Sequence, residues 1–176
     1  MTGENDIGST IEMSQQLKKK KKNSELRGDI IVKSCNLKPI KASKSFYTNM
    51  TDEYPILFII AALTKGISIF KGIGDLVNKE SNRIIEMQNI LSQINVKSKF
   101  SKGELKIFGQ GMINANNKII KVPDLSDHRL CMSSFILALL TGANTMINNF
   151  ETVFTSSPSF LKIMKNNFKV KFEIKK

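Results

Sequence analysis

Asp52-Glu-Tyr-Pro-Ile-Leu-Phe-Ile-Ile-Ala-Ala-Leu-Thr-Lys-Gly66 and Asp127-His-Arg-Leu-Cys-Met-Ser-Ser-Phe-Ile-Leu-Ala-Leu-Leu-Thr-Gly142 are two copies of one pattern, set 75 positions apart. Each opens on an aspartate at a natural N-cap position, runs through an apolar helix and stops at a glycine suited to the C′ turn. A short β-type run follows each: Ile67-Ser-Ile-Phe70 and Thr145-Met-Ile-Asn148. A second helix comes next. One begins at Ser81-Asn-Arg with Ile84, Met87, Leu91 and Ile94 at helical spacing; the other begins at Ser157-Pro-Ser, with Pro158 in the first turn. Strands over Val96–Phe100, Glu104–Phe108 and Lys169–Ile174 close the two copies.

The predicted unit is therefore strand, helix, strand, helix, strand or strand pair. A period of 75 residues is too long for a solenoid, whose repeats run at roughly 20–50 residues. Two copies inside one α/β domain fit the pattern. Upstream, Ser9–Met13 and Gly28–Lys33 read as two further strands split by the tract Lys18–Lys22, the tail of a third unit whose beginning is missing.

Composition sets outer limits. With 41% hydrophobic and 24% charged residues in 176, the chain has the make-up of a domain with its own core. The longest apolar run, Ile56–Leu63, falls short of the roughly 18 residues of a membrane helix. Met1–Met13 lacks the basic start and apolar stretch of a secretory signal, so a cytoplasmic location is expected. Cys35 and Cys131 form no C-x-x-C pattern, and His128 is the single histidine, so the sequence offers no metal site and calls for no cofactor. The formal charge of +12 attracts anions in general, whether phosphorylated metabolites, nucleic acid or acidic lipid. A basic nucleic-acid-binding module is one reading of it. Against that reading, no aromatic residues interleave with the lysines, and neither a helix-turn-helix nor zinc spacing is present.

Motifs sharpen the reading. Thr51-Asp-Glu-Tyr-Pro55, Asn78-Lys-Glu-Ser-Asn-Arg83 and Ser126-Asp-His-Arg-Leu-Cys-Met132 fall at equivalent places in the two copies, and Thr155-Ser-Ser-Pro-Ser-Phe160 follows them. Together, in this order and spacing, they resemble the EPSP synthase family from about Gly28 to the C-terminus, with a fainter continuation to about residue 7. The resemblance implies an enolpyruvyl-transferase domain of repeated βαβαββ units, here incomplete. Residues 1–27 would be a partial strand with a lysine-rich linker, and 28–176 the C-terminal part of the second domain, with units at about 50–110 and 120–176. It also implies phosphoenolpyruvate and shikimate 3-phosphate as ligands, bound in a cleft between two domains. The sister transferase acting on UDP-N-acetylglucosamine shares the fold, but the K-E-S-x-R and D-H-R pair fits the shikimate enzyme better.

The same resemblance assigns the site. Glu80 would exchange a proton at the phosphoenolpyruvate carbon. Asp52, which on its own reads as a plain N-cap, would contact the shikimate hydroxyls and help take up a proton. Arg83 and Arg129 would clamp phosphoenolpyruvate, with Lys79 and His128 beside them and Asp127 capping or orienting. Departures from the family pattern are Asn82 in place of aspartate, Val77 where arginine is frequent, Ser157 in place of an aromatic, and no lysine near Thr155 and Ser156. Since the resemblance covers only part of one domain, this sequence is expected to be inert alone and poorly soluble. It reads as a remnant of a broken gene or as half of a split enzyme, its partner a separate polypeptide carrying the other domain.

Overall fold

The computed structural model describes residues 36–174 and, ahead of them, the backbone of three short strands. The tract Lys18–Lys22, Cys35 and the outer ends of the two upstream strands lie outside the described residues. The three strands, β1 (Thr2–Glu4), β2 (Thr10–Met13) and β3 (Ile30–Val32), form an antiparallel sheet in which Ile11 faces Val32 and Met13 faces Ile30.

Then comes the first repeat. It runs through β4 (Lys41–Ala42), α1 (Lys44–Asn49), a 3₁₀ turn at Thr51–Glu53, α2 (Tyr54–Ala62), β5 (Gly66–Lys71), a second 3₁₀ turn at Gly74–Asn78, α3 (Arg83–Gln93), β6 (Lys97–Ser101) and β7 (Glu104–Gly109). The sheet order is β4-β5-β7-β6; β4 and β5 are parallel and the rest antiparallel. The second repeat runs through β8 (Ile119–Val122), α4 (His128–Thr141), β9 (Asn144–Ile147), α5 (Thr152–Ser156) and α6 (Phe160–Phe168). Here β8 and β9 pair in parallel, reproducing the β4–α2–β5 crossover. Mixed α/β architecture from a repeated unit is thus what forms.

Helices α2 and α4 are apolar nearly all round, the pattern of a helix enclosed by protein. Tyr54, Leu57, Phe58, Ile59, Ala61 and Ala62 of α2 are buried, as are Leu130, Cys131, Phe135, Leu137 and Ala138 of α4. The two helices pack on each other, and α2 also packs on β7 and α3. Gly109 makes the β7 contact possible. A Cβ there would stand 2.0 and 2.1 Å from the carbonyl oxygens of Thr64 and Ala61, at the end of α2.

Several local expectations change. Helix α2 ends at Ala62, and Gly66, with φ of 123°, opens β5 instead of closing the helix. Gly142 does take the left-handed C-cap of α4, at φ 71°. Helix α6 starts two residues beyond Pro158, after a separate helical turn, α5. Residues Lys169–Ile174 form no strand. Their alternating pattern suits a sheet, but Lys169 turns into the left-handed region at φ 55° and the segment finds no partner edge among the described residues.

Candidate active site

The site forms where the N-terminal ends of the helical segments of both repeats meet. Arg83, the first residue of α3, is its hub and is fully buried. Its Nε donates to Asp127 Oδ2 at 2.9 Å and its Nη1 to Asp52 Oδ1 at 3.3 Å, while Nη2 donates to Glu80 Oε2. A guanidinium has donors only, in a fixed planar fork, so three carboxylates around one arginine define its orientation completely. Burial acts against this charge. The hydrogen bond and proximity of Asp127, with Glu80 and Asp52 behind it, outweigh that and hold the Arg83 pKa above its ordinary value.

Asp127, also fully buried, is the N-cap of α4. Its Oδ1 accepts from the backbone N–H of Arg129 at 3.1 Å and of Leu130 at 3.4 Å, and its Oδ2 takes Arg83 together with the Ser81 hydroxyl at 3.0 Å. The equivalent aspartate of the first repeat behaves differently. Asp52 sits in the 3₁₀ turn, Glu53 holds the cap position of α2, and no side chain caps that helix. The N-cap reading of Asp52 is therefore overturned: its two oxygens go to Arg83 and, at 2.7 Å, to Arg129 Nη2. Two charge-assisted bonds displace one backbone cap, the expected order of strength.

Arg129 completes the rim. Its Nη1 lies 2.8 Å from His128 Nε2 and 3.8 Å from Glu80 Oε1. A guanidinium can only donate, so this contact uses His128 Nε2 as the acceptor. Asp52 and Glu80 are about half exposed and Arg129 a quarter exposed, whereas Arg83 has no exposure. The open side of the cluster thus offers Asp52, Glu80 and Arg129 to solvent, with Arg83 beneath them.

Of the six residues given a catalytic or ligand-binding role from the sequence, five converge, Asp52, Glu80, Arg83, His128 and Arg129, and Asp127 orients their hub. The sixth, Lys79, turns aside, its Nζ 3.2 Å from Asp75 Oδ2. Asn82 does not face Arg83. Its side chain caps α3 by accepting from the Ile85 N–H at 3.1 Å, so an asparagine in place of aspartate leaves the guanidinium geometry intact. Val77 packs on the core. The sequence reading gave no site part to Ser81, which donates to Asp127, to Asp75, which holds Lys79, or to Tyr47, whose hydroxyl donates to Asp75 Oδ2 at 3.0 Å. The spacing of Asp75 and Lys79, four apart, was the available signal for that pair.

A likeness of fold comes first. The EPSP synthase of Acinetobacter baumannii superposes with a TM-score of 0.65 at 28% identity, over 78% of this chain and 32% of that one. The enolpyruvyl transferase NikO from Streptomyces tendae gives 0.55 at 11% identity over 86% of this chain and 31% of that one, a likeness of fold alone. The repeated α/β unit is thus the one seen in enolpyruvyl transferases.

Sequence comparison narrows this. The family described as EPSP synthase (3-phosphoshikimate 1-carboxyvinyltransferase) matches residues 5–164. The 3-phosphoshikimate 1-carboxyvinyltransferase of Clostridium tetani is 32% identical over 154 residues, 88% of this chain and 35% of that protein. Its namesake from Paramagnetospirillum magneticum is 30% identical over 136 residues, 77% of this chain and 30% of that protein. The chain belongs to the EPSP synthase family. It spans about a third of the length of these curated relatives.

Proposed function

We propose that the rim formed by Asp52, Glu80, Arg83 and Arg129 is one wall of an enolpyruvyl-transferase site taking phosphoenolpyruvate and shikimate 3-phosphate, in the synthesis of aromatic amino acids. What carries the reading is that Asp52 and Arg129, 77 positions apart, meet over Arg83 with Glu80 alongside. In this reading residues 28–176 are the C-terminal part of the second domain, and the reaction runs among soluble metabolites of the cytoplasm. Among the described residues no helix is long and apolar enough to cross a membrane.

The chemistry follows from what faces solvent. Arg129 presents a fork-shaped donor to a phosphate or carboxylate, and the ligand takes it in exchange for Asp52. Asp52, released from Arg129, is left beside the ligand as an acceptor for a hydroxyl of shikimate 3-phosphate. In its acid form Glu80 lends a proton to the methylene carbon of phosphoenolpyruvate while that hydroxyl gives its proton to Asp52 and its oxygen bonds to the neighbouring carbon. Loss of phosphate then breaks the bond between that carbon and the bridging phosphate oxygen, and the Glu80 carboxylate recovers a proton from the methyl group. The product is the enolpyruvyl ether with inorganic phosphate.

The wall is incomplete for this task. Asp52, Glu80 and Asp127 carry three negative charges against two guanidinium groups, so the cluster itself has a formal charge of −1. Arg129 can hold one anionic group of a phosphorylated acid weakly, but turnover needs further cations. These come from an opposing wall, either in the remainder of a longer chain or on a separate polypeptide. The 176 residues alone are therefore expected to release no phosphate from phosphoenolpyruvate and shikimate 3-phosphate. Binding is the direct test. Phosphoenolpyruvate added to the chain should shift the side-chain NMR signals of Arg129 and of its contacts Asp52 and His128, and Arg129→Gln should abolish the effect. Shifts confined to lysines elsewhere would reject the assignment.

A further inference from the structure

The β4-β5-β7-β6 sheet has two unlike faces. Phe70, Leu105 and Ile107 turn inward and are buried, on the side where α2 and α3 pack. Cross-strand register fixes what stands on the other face. Ile67, Phe108 and Lys97 form one row across β5, β7 and β6. Lys41, Ile69, Lys106 and Lys99 form the next across all four strands, and Lys71, Glu104 and Ser101 the third. Five lysines thus share this face with one glutamate, a formal surplus of four positive charges. Glu104 lies 3.4 Å from Lys106 and 4.0 Å from Lys71, so it offsets a single charge between them. Lys99 and Lys106 stand directly opposite each other, an arrangement that destabilises a sheet. Lysines on an edge strand such as β6 guard it against pairing, but Lys106 is on an inner strand, where that need does not arise. Solubility alone is met by mixing the signs of charge.

Apolar groups interrupt the lysines. Phe108 is 38% exposed and sits directly between Ile67 and Lys97. It also lines a depression of about 620 Å³ at the β6 edge, together with Lys97 and Ser98 and, from α3 and the turn after it, Gln88, Asn89 and Asn95. Amide side chains carry both a donor and an acceptor. We propose that this face is a platform for single-stranded nucleic acid, with a base stacked on the Phe108 ring, its edge towards the amides, and the flanking phosphates on Lys97, Lys99 and Lys106. The spacing suits such a strand: Lys97 and Lys99 lie about 6.6 Å apart along β6, at a rise of about 3.3 Å per residue, close to the step between phosphates of an extended chain. Every base has a face to stack, so what is recognised is backbone charge and base face rather than sequence. An acidic peptide matches the lysines alone, and a flat lipid surface leaves the depression unfilled. No single stretch of sequence holds this pattern; the sheet assembles it across strands. The cluster around Arg83 starts from the helices on the opposite side of the sheet, so the platform is independent of the reading given to that cluster.

Fluorescence anisotropy of a labelled oligothymidylate of about 12 nucleotides, a length within the range such platforms cover, tests this on the 176-residue chain. Phe108→Leu keeps an apolar residue on the sheet but removes the flat ring. It should weaken binding by about fivefold or more and leave the salt dependence unchanged. Lys99→Gln and Lys106→Gln should each lower the slope of log affinity against log salt by about 0.7, the share of one phosphate on a single strand. The tract Lys18–Lys22 carries charge of its own, so the Phe108→Leu comparison is repeated with that tract replaced by glutamines, where the same loss should appear. Circular dichroism with urea titration verifies that each variant folds. Absence of binding by the unaltered chain, a Phe108→Leu chain that binds as tightly as the unaltered one, or lysine variants with an unchanged slope overturns the platform. So does displacement of the oligonucleotide by polyglutamate at equal charge, which marks a surface for acidic protein. Tighter binding to phosphatidylserine vesicles than to the oligonucleotide overturns it in favour of a membrane contact.

Discussion

Replacing Arg83 by methionine removes the charge while keeping much of the volume, and the structure says what that does to stability. Three carboxylates lose a donor. Asp52 and Glu80 are about half exposed, so water takes the vacated place at little cost. Asp127 has no exposure, and its Oδ2 keeps only the Ser81 hydroxyl. Breaking a buried pair from one side costs about 3–5 kcal/mol. The two amide N–H groups still on Asp127 Oδ1 put this case near the lower end, at about 3 kcal/mol. In a protein of this size each kcal/mol is worth roughly 2–4 °C, so the unfolding midpoint should fall by about 6–12 °C. Urea titration followed by circular dichroism measures the free energy directly. Adding Asp127→Asn, which keeps the cap oxygen and removes the stranded charge, should recover a large part of the loss. An Arg83→Met chain within about 0.5 kcal/mol of the unaltered one, or a double variant in which the two losses simply add, would refute the argument.

Gly109→Ala should destabilise by about 1–3 kcal/mol, since its methyl group meets two backbone carbonyls that cannot turn away; chemical denaturation tests this. Asp124 accepts from Asn149, and that bond, against slight desolvation and with help from Ser126, holds its carboxyl below the usual range. A depressed folded-state value gives stability above the ordinary carboxylate pKa that disappears as pH falls through the folded one. Asp124→Asn should therefore flatten the acid limb of the stability profile, read from unfolding midpoints at pH 2 to 6. Burial first, then Asp127 and Asp124, push the Cys131 thiol up to about 11. With Cys35 replaced by serine, alkylation at pH 8 should be slow in buffer and rapid in urea.

Much of the architecture was visible in the two apolar runs, because a helix enclosed on all sides is written in residue type alone. Asp127 announced its cap correctly. Asp52, at the matching place in the first repeat, did not, since its choice between backbone N–H groups and two guanidinium groups depends on residues 31 and 77 positions away. Lys169–Ile174 shows the same limit from the other side: alternation describes a strand's faces but cannot supply its neighbour. Clustering of five site residues followed from motifs read together. The turn of Lys79 towards Asp75 carried a local spacing signal, whereas the part played by Tyr47, 28 positions from Asp75, carried none.

Arg83 belongs to one repeat and Asp127 to the next, so their contact is a keystone between the two repeats as well as the base of the charged cluster. Folding alone is reason enough to keep both. Any descendant of the chain would be penalised for losing either residue, whatever became of the side chains above them. The open rim, not the sealed arginine beneath it, is where sequence is free to change first.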